Sequence, residues 1–324
     1  MIRLLLLLLS FPATAWASYV ERPDVQVFMR ELVKRHGFVE AELKRVFNKA
    51  QRVQPVLEAI SRPAERVRTW EEYRTALLTE RRVSEGVEFW KKYRNTLKRA
   101  EKKYGVAPEY VVAIIGIETF YGRHTGNWRV LDALTTLAFD YPPRAGFFRN
   151  ELEQYLLFTR AAGVDVFSVK GSYAGAIGLP QFMPSSTRAY AVDFDGNGRI
   201  DLQKGRVDSI GSVANFLKVH GWQRDADVSV EARVAGESWR AFAEGLEPKH
   251  STLALREAGV EFDSPQPPGA PVALVELASA DRPSEFRVGL RNFYVITRYN
   301  RSAFYAAAVA DLARELRKTY DLGK

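Results

Sequence analysis

At 324 residues and 36.7 kDa, with 46% hydrophobic and 27% charged residues, the chain has the composition of a folded protein of roughly two domains, which excludes a fibrous or disordered one. Lys+Arg 47 against Asp+Glu 39 gives a formal charge of +8 and favours an anionic partner. With Cys 0 and His 4, thiol nucleophiles, disulfides, Cys-ligated zinc and iron–sulfur clusters are excluded, so any chemistry rests on carboxylates, hydroxyls or amides.

The chain opens with Arg3, the apolar run Leu4 to Leu9, Ser10-Phe11-Pro12 and the small-x-small triplet Ala15-Trp16-Ala17, the pattern of a secretory signal peptide over residues 1–17. A bilayer span takes about 20 apolar residues, so this run is too short for a permanent anchor; a short buried helix is the alternative. Removing 1–17 takes away one charge, Arg3, and leaves +7. Without Cys a thioether lipid anchor is excluded, and the expectation is a soluble protein outside the cytoplasm.

From Asp24 to about Tyr104 apolar residues such as Val27, Leu32, Val39, Leu43 and Phe47 recur at helical spacing. Within this stretch, residues 62–103 hold thirteen Lys and Arg against seven Glu, interleaved with aromatics such as Trp70, Tyr73 and Trp90. Such a run is either a solvated helix face or a polyanion-binding one. Pro108 to Tyr121 reads as a compact apolar helix stopped by Gly122, with Glu118 inside its apolar body. Burial there would penalise the carboxylate and keep a proton available near neutrality, as a general acid requires; a solvated Glu on an amphipathic helix is the bland alternative.

Helices follow around Val130–Phe139, Phe147–Ala162 and Val207–His220. Between the last two lies Gly171-Ser172-Tyr173-Ala174-Gly175-Ala176-Ile177-Gly178-Leu179-Pro180-Gln181-Phe182-Met183-Pro184-Ser185-Ser186. Its small residues allow close backbone approach and its hydroxyls and amide suit sugars, although a tight structural turn would look the same; no phosphate-loop or serine-elbow pattern is present. Asp193-Phe194-Asp195-Gly196-Asn197-Gly198-Arg199-Ile200-Asp201 matches an EF-hand calcium loop: Asp193, Asp195 and Asn197 take positions 1, 3 and 5, and Arg199 offers its carbonyl at position 7. The twelfth position is Lys204, which cannot coordinate a cation, so Asp208 is the nearest replacement and a metal-free Asx-rich turn the alternative. Val228–Val234, Pro271–Leu277 and Glu285–Leu290 read as short strands around the Pro-rich stretch Pro265–Pro271. In Arg298-Tyr299-Asn300-Arg301-Ser302-Ala303-Phe304-Tyr305 the aromatics could stack on sugars or belong to the core, and Ser302 caps a last helix running to about Tyr320.

Taken in order, Glu118-Thr119-Phe120-Tyr121-Gly122, the Gly171–Ser186 segment, the Asp193–Asp201 loop and Arg298–Tyr305 closely resemble the membrane-bound lytic murein transglycosylase B family, including its soluble periplasmic forms, over nearly the whole chain. The resemblance implies a mainly α (α+β) fold: an N-terminal helical domain over 18–104, a lysozyme-like core over 105–222 with the EF-hand-like loop at 193–208, a small β-containing domain over 223–290, and a segment 291–324 returning to the core. It implies a periplasmic enzyme that cleaves the β-1,4 bond between N-acetylmuramic acid and N-acetylglucosamine of peptidoglycan without water, leaving 1,6-anhydromuramoyl ends. Glu118 falls on the catalytic acid, and Tyr73, Arg144, Ser172, Gln181, Tyr299, Asn300 and Tyr305 on substrate contacts; Phe216 stands where relatives can have Tyr. Structural calcium would be held by Asp193, Asp195, Asn197, the Arg199 carbonyl and Asp208, with no catalytic cofactor. Implied partners are peptidoglycan glycan strands and proteins of wall synthesis or division, with neither nucleic acid nor a lipid anchor. A lysozyme-type hydrolase and a non-catalytic peptidoglycan-binding protein are the competing readings.

Overall fold

The computed structural model describes residues 18–62, 69–263, 266–280 and 282–323; the expected signal peptide at 1–17 and Pro265 of the Pro-rich stretch lie outside them. Among the described residues six α-helices precede the apolar one: α1 (Pro23–His36), α2 (Glu40–Lys49), α3 (Gln54–Ser61), α4 (Trp70–Leu77), α5 (Glu80–Lys92) and α6 (Arg94–Tyr104). In α1 the residues Val25, Phe28, Met29 and Leu32 recur at three- and four-residue steps and form one buried stripe. Thr69 and Glu72 cap α4 reciprocally, each side chain accepting the other's backbone N–H.

Next come α7 (Pro108–Thr119), β1 (Trp128–Arg129), α8 (Val130–Asp140), α9 (Ala145–Ala162), β2 (Lys170–Gly171), α10 (Pro184–Tyr190) and α11 (Arg206–Val219). Val111 to Gly116 are buried without a break, so α7 is a central helix enclosed by α5, α6 and α11 and not an amphipathic surface one. Ile114 and Ile115 are fully buried, each worth about 1.5–3 kcal/mol of transfer free energy, which makes α7 a firm platform for its last turn. The helix ends at Thr119, two residues before the sequence pattern suggests, because Phe120 and Tyr121 turn left-handed at φ 50 and 60.

The chain then forms β3 (Ser229–Val234), β4 (His250–Ser251), α12 (Thr252–Glu257), β5 (Val260–Phe262), β6 (Pro271–Leu277) and β7 (Glu285–Gly289). Strands β3 to β7 make one antiparallel sheet in the order β4-β6-β7-β3-β5, with Val275 of β6 opposite Arg287 of β7. The chain returns through α13 (Arg291–Tyr299) and α14 (Ala303–Leu322), and α14 lies along α7, α5 and α4. Ser302 caps α14 as expected, accepting from the Tyr305 N–H. The whole is the expected mainly helical α+β architecture.

Apolar packing does not follow chain order. Helices α1 to α3 share a core with α8 and α9, through Phe28, Phe47, Leu134 and Phe148 among others. Helices α4 to α6 pack with α7, α11, α13 and α14 around Trp90, Ile114, Phe293 and Leu312. One face of the sheet, including Phe262 of β5, closes on Trp239 and Leu255. Among the described residues no helix is long and apolar enough to cross a membrane.

Candidate active site

Glu118 occupies the last turn of α7. Part of its side chain reaches the surface, but the carboxyl group is enclosed closely enough that desolvation pushes it up to about 7, against the opposing pull of a hydrogen bond from Tyr305. The Tyr305 hydroxyl donates to Glu118 Oε1 at 2.7 Å. Tyr305 is buried in the first turn of α14, and desolvation together with the Glu118 charge drives its own phenol well up, so it stays a neutral donor. Tyr299, stacked on Tyr305 at 6.4 Å between ring centres, is likewise driven up by burial and donates to the Pro180 carbonyl at 2.6 Å. The last helix and the Gly171–Ser186 segment therefore meet at Glu118.

A strained turn fixes the carboxylate. Two successive non-glycine residues in the left-handed region cost on the order of 1–3 kcal/mol each and persist only where the surroundings hold them. The Thr119 hydroxyl does part of this: it accepts from the Gly122 N–H at 3.1 Å, and its hydrogen reaches the carbonyls of Ile115 (3.2 Å) and Leu179 (3.1 Å). Tyr121 does the rest, donating to the Arg82 carbonyl at 2.8 Å from a slot between α5 and α7. The slot exists because its walls are glycines: a Cβ on Gly86 or Gly116 would lie 2.3 or 2.6 Å from the Tyr121 hydroxyl oxygen. The sequence motif contains Thr119 and Tyr121 without assigning either a role; a glycine inside each of two helical patterns is the signal for the slot.

Gln181 is itself left-handed at φ 49, and its side-chain N–H groups reach the carbonyls of Gly178 (2.8 Å) and Thr125 (3.2 Å). Its amide oxygen has no partner among the described residues and stays available as an acceptor. Gly178, at φ 69, cannot be replaced cheaply, since a Cβ there would sit 2.0 Å from the Leu202 carbonyl. Tyr73 on α4 packs against Phe304 at 5.8 Å, beside Tyr305, and Asn300 is exposed just past α13. Ser172 closes its own turn, its hydroxyl accepting from the Ala176 N–H at 3.1 Å, which leaves the hydroxyl hydrogen to give. Arg144 is not joined to this group by any contact among the described residues; it is exposed at the start of α9, over the rings of Phe147 and Phe148. Phe216 fills its place by packing, 4.7 Å from the Tyr299 ring and stacked on His220 at 4.1 Å.

The Asp-rich loop gathers acceptor oxygens. One carboxylate oxygen from each of Asp193, Asp195 and Asp208 lies within 4.8 Å of the others, and Asp208 is buried in the first turn of α11. Oxygens at about 2.3–2.6 Å around a calcium ion sit up to about 5 Å apart, so the spacing suits that ion. Asn197 accepts from the Arg199 N–H at 2.9 Å. Desolvation opposes ionisation of Asp193, but N–H groups of Gly198, Gly196 and Asn197 hold its carboxyl below the usual range. Lys204 is exposed and contributes its backbone alone: its N–H donates to Asp201 and its carbonyl accepts from Arg206. The loop reaches the active site through the backbone: the Leu179 N–H donates to the Leu202 carbonyl at 2.9 Å.

Three comparisons place this geometry. The Transglycosylase SLT domain family matches residues 21–314. The Escherichia coli K12 protein named membrane-bound lytic murein transglycosylase B is 40% identical over 306 residues, 92% of this chain and 83% of that protein. Among solved structures, soluble lytic transglycosylase SltB1 from Pseudomonas aeruginosa superimposes with a TM-score of 0.87 at 49% identity, covering 92% of this chain and 100% of that one. Escherichia coli lytic transglycosylase Slt35 in complex with calcium does so with a TM-score of 0.83 at 40% identity, covering 93% and 95%.

Proposed function

The chain belongs to the SLT-domain lytic murein transglycosylases, and from that premise we propose that Glu118 is the single acid and base of non-hydrolytic peptidoglycan cleavage on a lysozyme-like core. One observation carries the reading: the enclosed Glu118 carboxyl is held by the Tyr305 hydroxyl, and among the described residues neither its hydrogen bond nor the causes of its raised pKa involve a second carboxylate. Hydrolytic glycosidases of the two-carboxylate kind place a partner about 5 to 9.5 Å away. The muramoyl 2-acetamido oxygen fills that role here, attacking C1 while Glu118 protonates the departing glycosidic oxygen. The Glu118 carboxylate then takes the C6 hydroxyl proton as that oxygen displaces the acetamido group from C1, and the original proton state returns.

The two opposing influences on Glu118 suit both steps. Burial keeps the proton on at neutral pH for the acid step, and the Tyr305 hydrogen bond stabilises the carboxylate needed for the base step. Tyr73, Ser172, Gln181, Tyr299, Asn300 and Arg144 are assigned to the substrate, with Gln181's free amide oxygen suited to a sugar hydroxyl or acetamido N–H. Mass spectrometry of soluble products from purified peptidoglycan tests the reading: muropeptides one water lighter than hydrolytic products support it. Reducing-end products would make the enzyme a hydrolase, and absence of products would leave a wall-binding protein.

Tyr305→Phe should raise the Glu118 pKa further, because the lost hydrogen bond favours the charged form. The acid step needs the protonated carboxyl, so the alkaline limb of kcat/KM, set near pH 7 in the wild type, should move to higher pH. An unmoved limb would reject this tuning role.

The Asp193 loop is assigned to structural calcium, held by Asp193, Asp195, Asn197, the Arg199 carbonyl and Asp208, with no part in the proton transfers. The ion would order the loop that supports Leu179 and, through Thr119, the turn after Glu118. Excess chelator should lower the melting temperature by about 5 °C, as expected when a site filled well above its Kd is emptied. An unchanged melting temperature would remove calcium from the account. We assign the enzyme to the periplasm, with residues 1–17 as signal peptide. Residues 18–104, 105–222, 223–290 and 291–324 are assigned to the helical domain, the core, the β domain and the returning segment, in keeping with confinement of the larger sheet to β3–β7.

A further inference from the structure

Two residues after Glu118, the half-buried Phe120 ring is surrounded by three guanidinium groups: Arg82 at 5.0 Å, Arg81 at 5.4 Å and Arg123 at 5.6 Å from its centre. Their charge is not balanced locally. Arg81 (2.9 Å) and Arg123 (2.6 Å) share the one carboxylate of Glu85, and Arg82 has no acidic partner among the described residues. Arg82 is also the most confined of the three: its Nε is buried without a hydrogen-bond partner, and burial lowers its pKa. Two net positive charges thus collect around one aromatic ring, and neither is spent on Glu118, whose shift has other causes.

The cluster also joins two walls of the site. Arg82 donates to the Ala76 and Leu77 carbonyls at the end of α4, the helix that carries Tyr73. Arg123 stands two residues before Thr125, whose carbonyl holds the Gln181 side chain. A cationic patch on a π face, tied to the end of the Tyr73 helix and adjoining in sequence the turn that holds Gln181, is matched to a planar anion that accepts from several N–H groups at once, namely a carboxylate.

We propose that Arg81, Arg82 and Arg123 form a subsite, arranged around Phe120, for a free carboxylate of the stem peptide carried by the glycan strand. This rests on the transglycosylase reading above and adds to it a determinant of substrate choice: strands that bear acidic stems are bound in preference to bare or neutralised ones.

The test uses the full chain and three substrates: stem-bearing strands, the same strands with peptide carboxylates converted to amides, and strands stripped of stems by an amidase, which expose the lactyl carboxylate instead. The double variant R81Q/R123Q, both positions exposed, should raise KM on stem-bearing strands about fivefold with kcat held within about twofold, the scale of partly solvated charge pairs. On amidated and stripped strands its KM should move less than twofold. Glu85→Gln, which frees both arginines, should lower KM on stem-bearing strands alone and provides a reading of opposite sign if the double variant folds poorly. Equal changes on all three substrates, or a change confined to stripped strands, would overturn the subsite. Wild type that releases anhydro products from every substrate while neither variant alters KM also overturns it and leaves the transglycosylase reading standing. Wild type that releases none overturns that reading first.

Discussion

Glu118→Gln should cut the rate of anhydromuropeptide release roughly a thousandfold, within the range that positioned acid–base groups contribute. The substitution keeps the shape of the side chain and an oxygen to accept from Tyr305, so the loss reflects the missing proton and not a disturbed turn. It should also make the protein more stable in a defined pH window. Burial raises the folded pKa of Glu118 from 4.5 to about 7, so the group favours folding when protonated, and that contribution is lost as pH rises from about 4.5 through 7. Gln never ionises. The melting temperature of Glu118→Gln should therefore match the wild type below about pH 4.5 and exceed it above pH 7. Calorimetry across pH with product mass spectrometry checks both halves: wild-type turnover in the variant would end the catalytic assignment, and a stability difference that shrinks with rising pH would contradict the desolvated carboxyl.

How much of this could be read without coordinates depends on whether the signal is local. Glu118 inside an apolar helix, Ser302 ahead of the last helix and the Asp193–Asn197 spacing are local patterns, and the structure has α7, the α14 cap and a carboxylate cluster where they point. Helix α13 escaped because its N-cap is Leu290, which offers no side-chain acceptor, and it follows directly on β7. Helix α12 carries a true Ser251 cap but at six residues is too short to show a period. The strained turn after Glu118 could not be read because its supports come from far away in sequence: Leu179, Arg82 and Gly86. Of the arginines around Phe120, Arg81 and Arg82 belong to the basic run, which a solvated helix face explains as a sequence, and Arg123 lies outside it. Only their convergence on one ring, with one carboxylate among three of them, separates the alternatives.

The largest expected effect on stability belongs to a residue that no motif marks. Asp311, two turns into α14 and 1% exposed, receives Arg287 of β7 through two N–H groups (2.8 and 3.0 Å), Arg74 of α4 at 3.1 Å and Arg314 at 2.5 Å. One carboxylate thus ties the sheet and the Tyr73 helix to the helix that carries Tyr305. Arg287 is itself buried and would keep only Glu285 as a charged partner. Breaking a buried pair by removing one member typically costs about 3–5 kcal/mol, because the remaining charge is stranded, and Asp311→Ala should lose that much. Asp311→Asn, which keeps an acceptor, should lose less. Desolvation opposes the charge on Asp311, but the Arg287 and Arg74 contacts win and hold its pKa below 3.8. A lowered folded pKa stabilises above the unfolded value and ceases to as pH falls through the folded one, so wild type and Asp311→Asn should converge in strong acid. Trp70 reports the event directly: its Nε1 donates to Glu285 at 2.7 Å and Arg287 lies 5.4 Å from its ring. Denaturant titration followed by tryptophan fluorescence should give the wild type a later midpoint at neutral pH. A loss under about 1 kcal/mol in Asp311→Ala would mean that apolar packing of α14 on α7, and not this carboxylate, fixes the two tyrosine-bearing helices around Glu118.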